Sequence, residues 1–213
     1  LPILVGGTGL YLRTLLDGIA PVPAIDADIR AQVRAASVAE NLAALAPLDP
    51  VAAATINPGD TTRIARALEV VWSTGKTLGE WQEQREGGIG DDIDLQALVL
   101  LPPRPWLYER CDCRFGQMVE QGALAEVEKL LDRNLNPDLP VMRAIGVPEL
   151  GAHLRGELTL EQAITDGQQA TRRYAKRQYT WFSHQPPPGW PRFHDPLEGE
   201  AVDRALALFA PAG

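Results

Sequence analysis

The chain has 213 residues, of which 45% are hydrophobic and 23% are charged. This composition is ordinary for a globular protein with one large domain, or with one domain that carries an insertion. No apolar run reaches the roughly 20 residues of a membrane-spanning helix, so we expect no membrane partner. The only two cysteines, Cys111 and Cys113, stand one residue apart, a spacing that suits neither a zinc site nor a disulfide framework. We therefore expect a cytoplasmic protein.

The net charge of −8 would disfavour a nucleic-acid partner if the charge were spread evenly. It is not spread evenly, because residues 167–194 contain no Asp or Glu but several Arg and Lys residues. A polyanion responds to such local charge rather than to the total. The overall charge therefore excludes no class of partner.

The first predicted element is a buried parallel strand at Ile3–Val5, because the run is short, branched and closed by glycines. The pair Gly6-Gly7 and Thr8 then form a turn, and apolar residues from Leu10 to Leu16 recur at helical spacing. A strand, a glycine turn and a helix make a βα unit, whose turn is where open α/β sheets bind ligands. Because such a strand needs neighbours, we expect further chain before it.

Helices are predicted through most of residues 26–86. The segments are a helix from Asp26 to Ala46 with Asp26 as N-cap, a helical piece from Asp49-Pro50, a helix from Thr61 to Trp72 and a short helix around Trp81. The glycine-rich segment 87–90 reads as a flexible joint.

The second predicted strand is Ile93–Leu101, and helices dominate again after it. They run from Pro105 to Leu131 with interruptions near Gly116 and Gly122, from Met142 to Leu154 with Pro148 near a first turn or a kink, and from Thr159 to Phe182. The proline-rich segment 186–191 must be extended. The chain is thus predicted to be predominantly helical.

The segment Gly75-Lys76-Thr77 imitates the end of a phosphate-binding P-loop. The full motif requires a glycine five residues before Gly75, where this chain has Val70. The motif should also follow a strand, whereas this segment follows a predicted helix. We therefore interpret it as a helix end.

The strongest local signal is a basic stripe, defined as Arg172, Arg173, Lys176 and Arg177. On a helix these residues share one side, while Tyr174, Gln178 and Trp181 lie on another that can pack. Like charges at this spacing repel, so the stripe predicts an anionic partner. For the pair Arg63 and Arg66, a solvated helix face is the favoured interpretation, and a phosphate grip is the alternative.

Taken together, four blocks resemble the tRNA dimethylallyltransferases, also called tRNA isopentenyltransferases. The blocks are ILVGGTGLYLRTLLDG at 3–18, DTTRIARALEVVWSTGKTL at 60–78, LPVMRAIGVPEL at 139–150 and ATRRYAKRQYTWF at 170–182. They occur in a consistent order and cover nearly the whole chain.

The resemblance implies an α/β fold, with a parallel-sheet core like that of P-loop nucleotide kinases and a mostly helical insertion. Its core would bind nucleotide, and ATP binding is implied in the same way. The family transfers a dimethylallyl group from dimethylallyl diphosphate, with Mg²⁺, to N6 of the adenosine immediately 3′ of the anticodon in tRNA. It acts on the anticodon stem-loop, whose base is extruded into a channel. We expect a monomer, with core at 1–25, a tRNA-contacting insertion at 26–90 and the core continued at 91–213.

The resemblance also assigns roles to particular residues. Thr8 would line the channel near the target base, and Arg143 would lie beside the reaction centre, so these two are the expected catalytic residues. The expected tRNA-binding residues are Thr8, Arg30, Thr62, Arg63, Arg66, Arg143, Arg172, Arg173, Lys176 and Arg177. No residue of the chain is expected to hold a metal.

Two departures from the family pattern qualify these expectations. The family's P-loop and its proposed catalytic aspartate lie in an N-terminal part with no counterpart here, so we expect this chain alone to be inactive. Val147-Pro148 stands where many members have Tyr and a basic residue. Two alternatives stay open: an adenylate isopentenyltransferase acting on free nucleotide, and an inactive tRNA-binding fragment.

Overall fold

The computed structural model describes residues 2–209, which form two compact units. Residues 10–95 form one, here called the helical unit, and residues 2–9 with 96–209 form the other, here called the sheet unit. The domain boundaries predicted from the sequence, after residues 25 and 90, differ in position from this division and remain a prediction.

The helical unit consists of short helices joined by tight turns. In chain order they are α1 (Gly9–Asp17), whose first residue belongs to the sheet unit, α2 (Ala27–Ala35), α3 (Val38–Leu45), α4 (Pro50–Thr55), α5 (Thr61–Thr74) and α6 (Leu78–Gln82). The predicted N-cap Asp26 is confirmed, since its carboxylate accepts the Asp28 and Ile29 amides. The prediction of a single helix over 26–46 is wrong, because the helix ends at Ala36. Ser37 is the N-cap of α3 and forms a capping box with Glu40.

Helix α5 is the centre of the helical unit. Its face of Ile64, Ala67 and Leu68 is buried against Val33 of α2 and Leu45 of α3. Gly75 then ends α5 in the left-handed conformation, with φ 72°, which glycine adopts without a Cβ penalty. The helix end predicted at this glycine is confirmed.

One charge lies inside this core. The Glu69 side chain is only 1% exposed, and its Oε1 accepts a 2.6 Å hydrogen bond from Nε of the half-exposed Arg34. This bond to Glu69 raises the pKa of the Arg34 guanidinium. Since an unpaired buried carboxylate is costly, the ion pair fixes α2 against α5.

The sheet unit carries the remaining helices and both strands that the described residues contain. The helices are α7 (Arg104–Met118), α8 (Leu124–Leu131), α9 (Val147–Leu154), α10 (Leu160–His184) and α11 (Ala201–Ala207), and the strands are β1 (Val99–Leu100) and β2 (Arg192–Phe193). A π-helical turn with Gly122 at φ 110° separates α7 from α8. The break predicted near Gly122 is confirmed, whereas Gly116 lies inside α7. Pro148 lies in the first turn of α9, one of the two positions predicted for it.

The two strands pair in parallel, Val99 with Arg192 and Leu100 with Phe193. The prediction of a strand over Ile93–Leu101 was too long, because β2 offers only two residues to pair with.

The predicted strand Ile3–Val5 is wrong for the described residues. The segment has no sheet partner there, and its three side chains are exposed, Val5 by 88%. A strand is defined by a neighbouring ladder, and the described part of the chain supplies none at this place.

Helices α7 and α10 pack tightly against each other. Phe115 of α7 occupies the space that a Cβ would need at Gly167 of α10, so glycine is required there for the close approach. The Gln168 amide also donates to the Asp112 carbonyl. Within residues 2–209, no helix is long and apolar enough to cross a membrane.

Candidate nucleic-acid interface

One face of α10 lies against the glycine turn at residues 6–9. Gln178 lies where a side chain would stand at Gly7, and the Trp181 ring lies where one would stand at Gly9. One turn earlier on α10, the Tyr174 hydroxyl is 3.5 Å from the Thr8 hydroxyl. The predicted packing face is therefore confirmed for Gln178 and Trp181, which lie against the turn. Tyr174 stays 40% exposed and reaches the turn through its hydroxyl.

The four residues of the basic stripe differ in their surroundings. Arg172 is partly buried, and its Nη1 lies 2.6 Å from both carboxylate oxygens of Asp112 on α7. Such a charge-assisted pair is strong when solvent is partly excluded. Arg172 thus fastens α10 to α7, and its predicted contact with tRNA remains a prediction.

The other three stripe residues are exposed. Arg173 and Lys176 extend to solvent, and the Arg177 guanidinium lies 5.5 Å from the centre of the Tyr174 ring, within cation–π range. These three cations are the accessible part of the stripe. By contrast, Arg192 donates to the carbonyls of Pro186, Pro188 and Trp190, so it holds the proline-rich loop.

Arg143 ends a short 3-10 helix, Pro140–Arg143, in the loop before α9. Its Nη2 pairs with the Asp138 carboxylate five residues earlier. Both side chains are largely exposed, at 64% and 80%, so the pair adds little stability. The guanidinium is therefore oriented but accessible to an incoming anion.

The remaining predicted residues lie in the helical unit. Arg30 is exposed on α2, Thr62 and Arg63 are exposed in the first turn of α5, and Arg66 is partly buried one turn later. Asp60 caps α5 through the Arg63 amide, and its carboxylate lies 3.3 Å from Arg63 Nε. The solvated-face interpretation fits Arg63, which has a local carboxylate partner.

A cleft of about 740 Å³ opens beside α7. It contains Arg110, which stacks on Trp106 and lies 3.7 Å from Glu198. Cys111 also lines it, and burial, followed by the neighbouring Asp112 charge, raises the pKa of that thiol. Opposite charges share the cleft, so its lining favours no anionic ligand.

No group of three or more His, Cys, Asp or Glu within residues 2–209 is arranged to hold a metal ion. No step below passes through the Mg²⁺ that the resemblance implies. The phosphate-binding core expected from the resemblance also remains a prediction.

The sequence matches the model of the IPP transferase family over residues 1–185. The chain belongs to this family. Among the curated relatives of this chain, the tRNA dimethylallyltransferase of Sphingopyxis alaskensis is 62% identical over 202 residues, which cover 95% of this chain and 66% of the relative. That of Novosphingobium aromaticivorans is 61% identical over 192 residues, covering 90% and 68%. The chain thus spans about two thirds of the length of these relatives.

Solved IPP transferases share the fold of this chain. A eukaryotic dimethylallyltransferase, crystallised while acting on tRNA, aligns with a TM-score of 0.74 at 26% identity, covering 97% of this chain and 55% of its own. The tRNA isopentenylpyrophosphate transferase of Bacillus halodurans aligns with a TM-score of 0.55 at 31% identity, covering 94% and 63%. The mostly helical fold of this chain, with its small parallel sheet, therefore matches solved structures of the family.

Sequence reasoning missed the partners of the predicted residues. Asp112 lies 60 positions before Arg172, and nothing in a local pattern connects the two. Asp138 could have been found, because an acidic residue five positions before Arg143 in the same loop is within reach of it. Tyr174 was assigned to packing, and its hydroxyl contact with Thr8 depends on a fold that brings residues 8 and 174 together.

Proposed function

We propose that the protein transfers a dimethylallyl group from dimethylallyl diphosphate to N6 of the adenosine immediately 3′ of the anticodon in tRNA. The observation that carries this proposal is the double use of α10. One face packs on the turn that holds Thr8, and another presents Arg173, Lys176 and Arg177 to solvent. An RNA backbone bound by these cations would lie beside Thr8.

The proposed reaction is the one for which the tRNA dimethylallyltransferases of the family are named. The N6 lone pair forms a bond to C1 of the dimethylallyl group, and the bond from C1 to the diphosphate oxygen breaks. The diphosphate leaves with the electron pair, and N6 loses a proton. Negative charge grows on the leaving group in the transition state, where a fixed cation is most effective.

Arg143 is the cation that we assign to the diphosphate. Its guanidinium is exposed, and Nη2 pairs with the Asp138 carboxylate. An anion can therefore approach the other N–H groups of the guanidinium. A planar guanidinium suits phosphate oxygens because it donates two parallel hydrogen bonds. We assign Thr8 to the target base, and we assign no described residue to the base that removes the N6 proton.

The helical unit supplies the second part of the proposed RNA contact. Arg30, Thr62, Arg63 and Arg66 project from α2 and α5, and we propose that they bind the anticodon arm. Contacts of this kind set register and affinity rather than base identity. A monomer in the cytoplasm, with Mg²⁺ accompanying the diphosphate substrate, completes the proposal.

The proposal is tested by deleting the genomic sequence that encodes these residues. Nucleosides from total tRNA, separated and weighed by mass spectrometry, should then lack N6-dimethylallyladenosine, and the intact coding sequence should restore it. Unchanged modification in the deletion strain would overturn the proposal.

A second assay separates the proposed acceptor from free nucleotide. Protein from the whole coding sequence is incubated with radiolabelled dimethylallyl diphosphate and either an anticodon stem-loop or adenosine monophosphate. Label should enter the RNA alone. Label in the mononucleotide would show that the protein transfers the group to free adenosine nucleotides, as an adenylate isopentenyltransferase does.

A further inference from the structure

Three side chains at successive turns of α10 reach the glycine turn. Tyr174, Gln178 and Trp181 meet Thr8, Gly7 and Gly9. Their spacing of four and three residues places them on one face of the helix. The turn thus rests on a fixed surface, and Thr8 faces the one residue of the three with a hydroxyl.

The Tyr174 ring is held at two places. Its hydroxyl lies 3.5 Å from Thr8 Oγ1, and its face carries the Arg177 guanidinium at 5.5 Å. These two contacts favour one orientation of a side chain that is otherwise 40% exposed. In that orientation the Tyr174 hydroxyl is within reach of Thr8.

A threonine hydroxyl has one hydrogen to donate and two lone pairs that accept. If that hydrogen points to Tyr174, both lone pairs remain for another donor. The N6 amino group of adenine is such a donor, whereas guanine carries a carbonyl oxygen at the same ring position. A Thr8 oriented in this way accepts from adenine and faces the guanine oxygen with lone pairs.

We infer that Tyr174 is a positioning residue that makes Thr8 selective for adenine over guanine at the target position. This inference rests on the proposed function and deepens it, because it names the pair of side chains that reads the amino group. Without the tyrosine hydroxyl, Thr8 can rotate and donate its hydrogen to the guanine oxygen. Thr8 is exposed in the free protein, and a bound RNA base would exclude water from its hydroxyl. An oxygen of guanine that then faces the Thr8 lone pairs would stay unpaired, and a freely rotating hydroxyl removes that penalty.

The test uses protein from the whole coding sequence and two anticodon stem-loops that differ only in adenosine or guanosine at the target position. Competition binding gives the ratio of the two affinities for the parent protein, for Tyr174→Phe and for Tyr179→Phe. Tyr179→Phe is the matched control, since it also removes an α10 hydroxyl, one that lies 3.4 Å from the Leu101 carbonyl. Thermal unfolding is measured for all three proteins.

We expect Tyr174→Phe to lower the preference for adenosine by about 3- to 10-fold, as for one neutral hydrogen bond. The ratio should stay unchanged in Tyr179→Phe, and both variants should unfold near the parent temperature. Thr8→Val should lose the preference to a similar extent, and Thr8→Ser, which keeps a hydroxyl, should retain it.

Three results would overturn the inference. The first is an unchanged preference for adenosine in Tyr174→Phe. The second is an equal loss of affinity for both stem-loops. The third is a loss of the preference that occurs only together with a lower unfolding temperature. Failure of the proposed function looks different, because the parent protein would then bind neither stem-loop and transfer no label.

Discussion

The helical unit and the sheet unit use charged side chains in opposite ways. The helical unit encloses a charge, since Glu69 is buried and paired with Arg34 beside the cluster that contains Leu68. In the sheet unit the charges of interest are at the surface, with Arg143, Arg173 and Lys176 exposed. Buried charges define a fold because they tolerate few arrangements, whereas exposed charges remain free to meet a ligand.

This difference indicates a division of labour. The residues that fix the helical unit are separate from the surface arginines that it offers to a partner. In the sheet unit the two roles meet on one helix, α10, where Arg172 fastens the helix and its neighbours face solvent. Mutations should therefore separate stability from function cleanly in the first unit and within a few residues in the second.

The largest effect is expected in the core of the helical unit. Leu68→Ala removes a fully buried side chain of α5 and should lower the free energy of unfolding by about 2–5 kcal/mol. Leu10→Ala is the matched control, since Leu10 is 64% exposed, and its cost should be far smaller. Urea unfolding measures both. Equal costs would show that Leu68 is not part of a packed core.

The next effect concerns Arg143 and turnover. Arg143→Ala should slow single-turnover transfer by about 10- to 100-fold, because the leaving diphosphate loses a cation. The unfolding temperature should stay the same, since the Arg143 pair with Asp138 is exposed. The control is Arg155→Ala, which removes a similarly exposed arginine paired with Glu157. An unchanged rate with weaker tRNA binding would reassign Arg143 to the RNA backbone.

Within the basic stripe, the structure predicts two different outcomes. Replacing Arg173 and Lys176 together by Ala should weaken binding to many tRNAs alike. It should also flatten the log–log dependence of affinity on salt by roughly 0.7 to 0.9 for each lost phosphate contact. Binding titrations at several salt concentrations measure both changes.

Arg172→Ala should instead lower the unfolding temperature, because Asp112 loses its partner. Its salt dependence should remain close to that of the parent. If Arg172→Ala changes the salt dependence as strongly as Lys176→Ala does, Arg172 also contacts phosphate and the division within α10 is wrong.

The smallest effect is a pH dependence in the helical unit. Hydrogen bonds from the Ser37 hydroxyl, and then from its amide, hold the pKa of Glu40 below its ordinary value. A group with a lowered folded-state pKa stabilises the fold above its unfolded pKa and loses that contribution as the pH falls through the folded one. The stability difference between the parent and Glu40→Gln should therefore shrink as the pH falls below about 4.3.

Thermal unfolding across this range measures that difference. Glu83→Gln, at an exposed acidic residue that follows α6, is the control for the loss of one surface carboxylate outside a capping box. A constant difference between the parent and Glu40→Gln at every pH would contradict a role for the Glu40 charge in the capping box.

The sequence by itself determined the helices, several of their ends and the family. Periodicity predicted α5 and α10, and the cap at Asp26 followed from a side chain that bonds nearby amides. These features depend on contacts within a few residues, which a local pattern contains. The candidate residues Thr8 and Arg143 came from the family resemblance rather than from local chemistry.

Only the tertiary structure decided which partners the candidate residues contact. It separated Arg172 from the rest of the stripe by placing Asp112 beside it, and it brought the Tyr174 hydroxyl to Thr8 across 166 positions. Within residues 2–209 it also left Ile3–Val5 without a ladder, although the composition of that segment suits a strand. Each outcome depends on which distant segments meet, because a strand needs a neighbour and a surface cation takes whichever carboxylate the packing of helices brings within reach.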